Sequence, residues 1–203
     1  MFWTGDKMKK SLLMLLIVTL ACSNAFAQLD PDDDGIGVYF NPCACNNCIS
    51  FDAGLHTAFL VITHPTSPQG VAGWECKMWL EGPAVITGVD LQGQEINIGT
   101  APEYVVGTVD PQVNPFTYPA IVVAVIDFFI TDIGSPVTFW IDGIRFHSLS
   151  DKVPAYLDGS DIEIIKELRQ STGGRDFPVA TVNGDCAVAN EQQTWGGVKS
   201  LFR

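Results

Sequence analysis

The stretch YFNPCACNNCISF places Cys43, Cys45 and Cys48 within six residues. Thiols so close can hold a metal ion, cycle between dithiol and disulfide, or cross-link the chain. Zinc calls for a second C-x-x-C pair or for histidines at regular spacing. Here Cys45 and Cys48 form the one such pair, and no histidine is near. A redox C-x-x-C opens a helix in an α/β pattern, whereas this stretch lies between two strand-like segments. Cross-linking is the expected role, and it depends on the compartment the chain reaches.

Residues 8–27 read as an export signal. Met8, Lys9 and Lys10 precede the apolar run SLLMLLIVTLA, and Ala25-Phe26-Ala27 is an A-x-A cleavage site. The signal segment 1–27 would be helical, with residues 1–7 an upstream extension, and the mature chain would begin at Gln28. The run is too short to span a bilayer, so no transmembrane segment is expected after cleavage. Residues 19–22 (TLAC) partly match a lipobox, which leaves lipidation of Cys22 as an alternative. In an oxidising compartment disulfides are the default, so Cys43, Cys45, Cys48, Cys76 and Cys186 are disulfide candidates. Connectivity does not follow from spacing. The preferred pair is Cys48 with Cys76, and the odd count leaves one thiol free or bonded to another chain.

The whole chain carries 11 basic and 23 acidic residues. Removing residues 1–27 takes away Lys7, Lys9, Lys10 and Asp6, leaving 8 basic and 22 acidic residues and a net charge of −14. That excludes nucleic acid and disfavours anionic membrane surfaces as partners. It fits solubility outside the cell or affinity for divalent cations.

The elements that must position these residues are strands. Residues 36–40 and 56–64 are rich in β-formers, and 56–64 is apolar on both faces. Residues 71–82 alternate: Trp74, Cys76, Met78 and Leu80 against Glu75, Lys77, Trp79 and Glu81, a half-buried strand. Further strands follow at 84–93 and 94–99. Residues 118–132 form a nearly continuous apolar run dominated by Ile and Val, as expected of a central strand covered on both sides. Residues 136–148 read as two strand pieces about an Asp142-Gly143 turn. Ser160 and Glu163 fit a helix capping box, which predicts a short helix over 161–169, with a strand as the alternative because Ile162 and Ile164 alternate. Residues 177–185 read as the last strand. The fold class is all-β: a single antiparallel β-sandwich over 28–186, followed by a linker and C-terminal tail over 187–203.

The segments GVAGWECKMWLEGPAVITGVDLQG (70–93) and AIVVAVIDFFITDIGSPVTFWIDGIRF (120–146) resemble the strand pattern of cohesin-type β-sandwich domains. The whole chain resembles a set of uncharacterised secreted bacterial proteins. They share a GVYF start, a GWEC strand, an AVINGDC-like segment and a TWGxVKxLYR-like end, here at 37–40, 73–76, 180–186 and 194–203. The cohesin resemblance implies a fold, not a partner, and no dockerin-binding residue is carried over.

Several residues are candidate sites. Asp30, Asp32, Asp34 and Gly35 fit the opening of a calcium loop, although its twelfth position is Asn41 where a bidentate Glu is required. A soluble acidic leader is the plainer reading, and no cofactor is expected unless calcium. His56 and His64 share a strand face but stand on the order of 26 Å apart, too far to share an ion. His147 near Asp142 and Arg145, and the carboxylates Asp127, Glu75 and Asp142, offer no catalytic pattern, so no catalytic residue is assigned. Trp74 shares parity with the apolar set and belongs to the core. Trp79 is the surface aromatic, and Tyr104, Phe116 and Tyr118 would rim a groove, together a binding surface for protein or glycan. In the tail, Trp195, Lys199, Phe202 and Arg203 form a basic apolar element. It would pack on the sandwich or act as a recognition tag for export or attachment, a use the shared ending of the resembling proteins implies.

These features point to a secreted, non-catalytic binding or adhesion module at the cell surface. The alternatives are a structural subunit of a surface layer or filament, with self-association through edge strands or the tail, and a glycan-active hydrolase on the same scaffold.

Overall fold

The computed structural model describes residues 30, 32–113 and 119–186. The expected signal segment and tail lie outside them. In chain order the strands are β1 (Gly35–Tyr39), β2 (Cys48–Ile49), β3 (Gly54–Thr63), β4 (Val71–Glu81), β5 (Ala84–Leu91), β6 (Glu95–Asn97) and β7 (Glu103–Gln112). They continue with β8 (Ala120–Ile130), β9 (Val137–Asp142), β10 (Ala155–Asp158), β11 (Ile165–Glu167), β12 (Arg169–Gln170) and β13 (Ala180–Val182). The first sheet has the order β12-β1-β3-β8-β5. The second runs β11-β10-β4-β9-β13-β2, with β7 on the other edge of β4 and β6 beyond it. Pairing is antiparallel except at two margins, where β1 runs parallel to β12 and β13 to β2. The all-β sandwich is therefore as expected, with two parallel pairings that local patterns did not reveal.

The core lies between the sheets. Phe128 of β8 meets Phe139 of β9 edge to face at 5.2 Å, and Leu60, Ile62, Met78 and Tyr156 are fully buried around them. Strand alternation produces this: Ala58, Leu60 and Ile62 of β3 face Trp74, Cys76 and Met78 of β4 across the interior. One end of the sandwich is closed by aromatics, with Phe51 stacked on His56 at 4.1 Å and standing 6.4 Å from Phe128.

The second apolar face of β3 is explained by the cysteine-rich loop. Ala44 packs with Tyr39, Val61 and Ala120 on the outside of the first sheet. Tyr39 lies across Gly37, where a Cβ would meet the Ser171 hydroxyl and approach the Tyr39 ring to 2.8 Å. Burial under this cover pushes the Tyr39 phenol up to about 12. The cover extends over only part of the sheet. Toward its end β8 exposes Asp127 and Phe129, so the expected two-sided cover of residues 118–132 holds for the first half of the strand.

Two segments depart from expectation. Residues 161–169 form no helix. Asp161 Oδ1 accepts the Glu163 amide, the Ile164 amide returns to the Asp161 carbonyl, and the chain proceeds into β11 and β12. The capping residue closes a turn here because the following Ile and Glu residues pair with β10. Residues 143–148 are not a strand either. The turn at Asp142-Gly143 leads to a loop in which Ile144 is buried and Phe146 is 83% exposed. That loop brings Ser148 over Glu75, whose carboxylate accepts from the Ser148 amide and hydroxyl, both at 2.7 Å.

Cys43 is bonded to Cys45 and Cys48 to Cys186. The preferred pair Cys48–Cys76 is replaced for a geometric reason. Cys76 shares the inward parity of Trp74 and Met78, is fully buried and is the free thiol among the described residues. Burial drives its pKa well above the ordinary thiol range. Cys48 sits on the edge strand β2 opposite Thr181, and the turn after β13 returns Cys186 to it.

Candidate functional site

The outer face of β4 and β9 is built by the same parity that builds the core. With Trp74, Cys76 and Met78 inside, Lys77, Trp79 and Glu81 point outward. With Val137, Phe139 and Ile141 inside, Thr138, Trp140 and Asp142 do so from β9. The register sets Lys77 opposite Asp142, Trp79 opposite Trp140 and Glu81 opposite Thr138. The two indoles are 6.1 Å apart between centroids and within 13° of parallel. The Lys77 ammonium stands 4.9 Å from the Trp79 ring centre, a cation–π contact.

Each indole N–H is satisfied along its own strand. Trp79 Nε1 donates to Glu81 Oε1 at 3.2 Å and Trp140 Nε1 to Thr138 Oγ1 at 3.0 Å. The polar edges are thus held, and the two indoles, packed on each other and under Lys77, stay partly exposed on the outer face. At the margin Arg175 donates to Asp142 Oδ1 at 3.1 Å and to the Lys152 carbonyl at 2.6 Å. The result is a rigid pair of aromatic rings ringed by both signs of charge, an arrangement that can bind and orient a partner. Trp140 is a site residue that the sequence reading above does not include. Its signal was its parity in VTFWID, opposite to Val137, Phe139 and Ile141.

Other expected site residues fall elsewhere. Tyr104 does not rim a groove: it is buried 6.2 Å from Trp74, and burial raises its pKa. Phe116, Tyr118, Trp195, Lys199, Phe202 and Arg203 lie outside the described residues. His147 Nδ1 contacts the Ile144 carbonyl at 3.0 Å, and Asp127 accepts from Thr57 Oγ1 at 2.9 Å.

The acidic lead is drawn into the fold. Asp34 accepts from the Thr66 amide at 2.7 Å, Thr66 Oγ1 at 2.8 Å and the Tyr156 hydroxyl at 2.6 Å. Asp30 Oδ1 accepts the Asp32 amide at 3.1 Å, and burial raises the Asp30 pKa. Among the described residues no group of three His, Cys, Asp or Glu side chains is arranged to hold a metal ion.

Beside Asp34, the buried Asp158 accepts from Ser67 Oγ at 2.7 Å and the Ser160 amide at 2.8 Å, and pairs with Lys166 at 3.0 Å. The Ser160 hydroxyl, then Ser67, hold its carboxyl well below the ordinary value of 3.8. A depressed folded-state pKa contributes stability that is full above the unfolded value and drains away as pH falls through the folded one. The stability gap between the wild type and Asp158→Asn should be constant from about pH 7 to about pH 5 and narrow below about pH 4, as urea unfolding at each pH will show.

No protein-family model matches the chain, and no curated protein sequence matches it. Among the solved structures similar to it are two cohesin domains. The sixth cohesin of scaffoldin B from Acetivibrio cellulolyticus, solved in complex with a dockerin, is 10% identical, with a TM-score of 0.45 over 76% of this chain and 100% of that one. A type II cohesin domain from the cellulosome of Acetivibrio cellulolyticus is 11% identical, with a TM-score of 0.47 over 76% of this chain and 98% of that one. The similarity is structural, and no residue of either domain is carried over to this chain.

Proposed function

We propose that the chain is a secreted, non-catalytic binding module that engages a protein partner at the cell surface through the outer face of β4 and β9. The observation that carries this reading is the pair of stacked indoles, Trp79 and Trp140, presented by a rigid sheet between Lys77, Asp142 and Arg175. Tryptophan and arginine within a charged margin match the composition of energetic centres in protein interfaces. The disulfides, together with the export signal expected from sequence, support an extracellular setting.

The test uses labelled protein from Gln28 onward, titrated onto intact cells of the strain that makes it. Trp79→Ala/Trp140→Ala should weaken surface binding by roughly thirtyfold, the effect of losing an interface centre. Protease treatment of the cells should abolish binding, whereas removal by periodate alone would assign a glycan partner. Equal binding by wild type and double variant would rule this face out.

A second reading, an assembly subunit, is favoured by the margin of the second sheet. Strand β6 is exposed throughout, with Ile96 67% and the adjoining Ile98 78% exposed. An unprotected apolar edge of this kind is a template for pairing with another copy. Sedimentation as a monomer at all concentrations would remove this reading.

A further inference from the structure

The outside of the first sheet divides into two halves, and only one has a cover. Tyr39 and the cysteine-rich loop close the half near β1. On the other half the register lines up Leu55 of β3, Phe129 of β8 and Val85 of β5 in one row across three strands. These side chains are 64%, 41% and 55% exposed, an apolar row open to solvent on a strongly acidic protein. Strands β1, β3, β8 and β5 contain no Lys or Arg, while Asp127 in the next row of the same face and Asp90 in the row beyond it stand to one side. A segment that fits must be apolar and basic.

We infer that the row Leu55–Phe129–Val85 is the docking site of the chain's own C-terminal segment, residues 194–203 (TWGGVKSLFR). That segment supplies Trp195, Val198, Leu201 and Phe202 as apolar groups and Lys199 and Arg203 as its charges. The exit point is favourable. Cys186 is pinned to Cys48, and just before it Asn183 both accepts from the Phe51 amide and donates to the Phe51 carbonyl at 2.8 Å, four residues ahead of Leu55. The chain therefore leaves the sandwich at the end where β3 and the row begin. The seven residues 187–193 reach about 23 Å when extended, and the row spans about 10 Å across three strands, so the segment can return to its own sheet. Aspartates near the row then face lysine and arginine, and the apolar side chains of both partners leave water.

Limited trypsin digestion of the chain from Gln28 reads the docking, because the Lys199–Ser200 bond lies inside the segment. With the segment docked, cleavage there follows the small fraction of open molecules. The wild type should be cut roughly tenfold more slowly than Phe129→Asp, which places a charge in the row. Val198→Asp, which alters the segment and leaves the sandwich untouched, should accelerate cleavage equally, and Val109→Asp on the other sheet should not. Wild-type cleavage as fast as that of a free peptide 194–203 would overturn the inference, as would protection insensitive to Phe129→Asp. Protection that grows with protein concentration alongside a dimer in sedimentation would also overturn it, assigning the site to the tail of a second copy.

Discussion

Replacing Cys48 and Cys186 together by serine should lower stability by about 4–5 kcal/mol, the largest loss expected from any pair of substitutions here. The bond closes a loop of sequence separation 138, and the entropy that a cross-link removes from the unfolded chain grows with loop length. Its native partners are short. Strand β2 has two residues and β13 three, and their parallel pairing rests on few backbone bonds, such as Thr181 N to Asn47 O at 2.9 Å and Asn183 N to Ile49 O at 2.9 Å. Without the disulfide this margin should fray first. Urea unfolding should show the full deficit, and thermal scans a fall of roughly 10–15 °C for a domain of this size. The Cys43–Cys45 bond closes a loop of separation 2 and should contribute far less by this argument, so Cys43→Ser/Cys45→Ser provides the contrast.

Asp34→Ala should cost roughly 3 kcal/mol in the same assay. The carboxylate accepts three short bonds and joins the loop after β3, through Thr66, to Tyr156 of β10 in the opposite sheet. Its backbone extends the link: the Asp34 amide donates to the His64 carbonyl, and the Asp34 carbonyl accepts from Arg169, both at 2.9 Å. Asp34 also has φ 56°, in the left-handed region that Asn and Asp tolerate better than Ala. Asp34→Asn keeps that tolerance and should lose less, separating the bonds from the backbone. If instead the acidic lead served chiefly as a calcium loop, added calcium would stabilise the wild type markedly and Asp34→Ala not at all.

Strand identity was largely legible in the sequence because alternation is a local property. The parity of Trp74, Cys76 and Met78 against Lys77, Trp79 and Glu81 placed one tryptophan inside and one outside, as found. Pairing partners are not local. Trp79 acquires its significance from Trp140, 61 positions away, and only the register of β4 on β9 joins them. The cysteine connectivity failed for the same reason, since strand parity already placed Cys76 in the core but could not show that Cys186 returns to β2. The prolines near Tyr104 suggest a loop, whereas Tyr104 pairs with Cys76 on the edge of β4. At 161–169 the capping signature was real but was used by a turn, because pairing with β10 outweighed two turns of isolated helix.

The Trp79–Trp140 face is the proposed contact with the partner. Oxidative footprinting, with the protein free and bound to cells and read by mass spectrometry, tests it without knowledge of the partner. Oxidation of both Trp79 and Trp140 should fall on binding while that of Phe146, on an exposed loop, stays unchanged. Unaltered oxidation of the two tryptophans, with protection concentrated elsewhere, would contradict it.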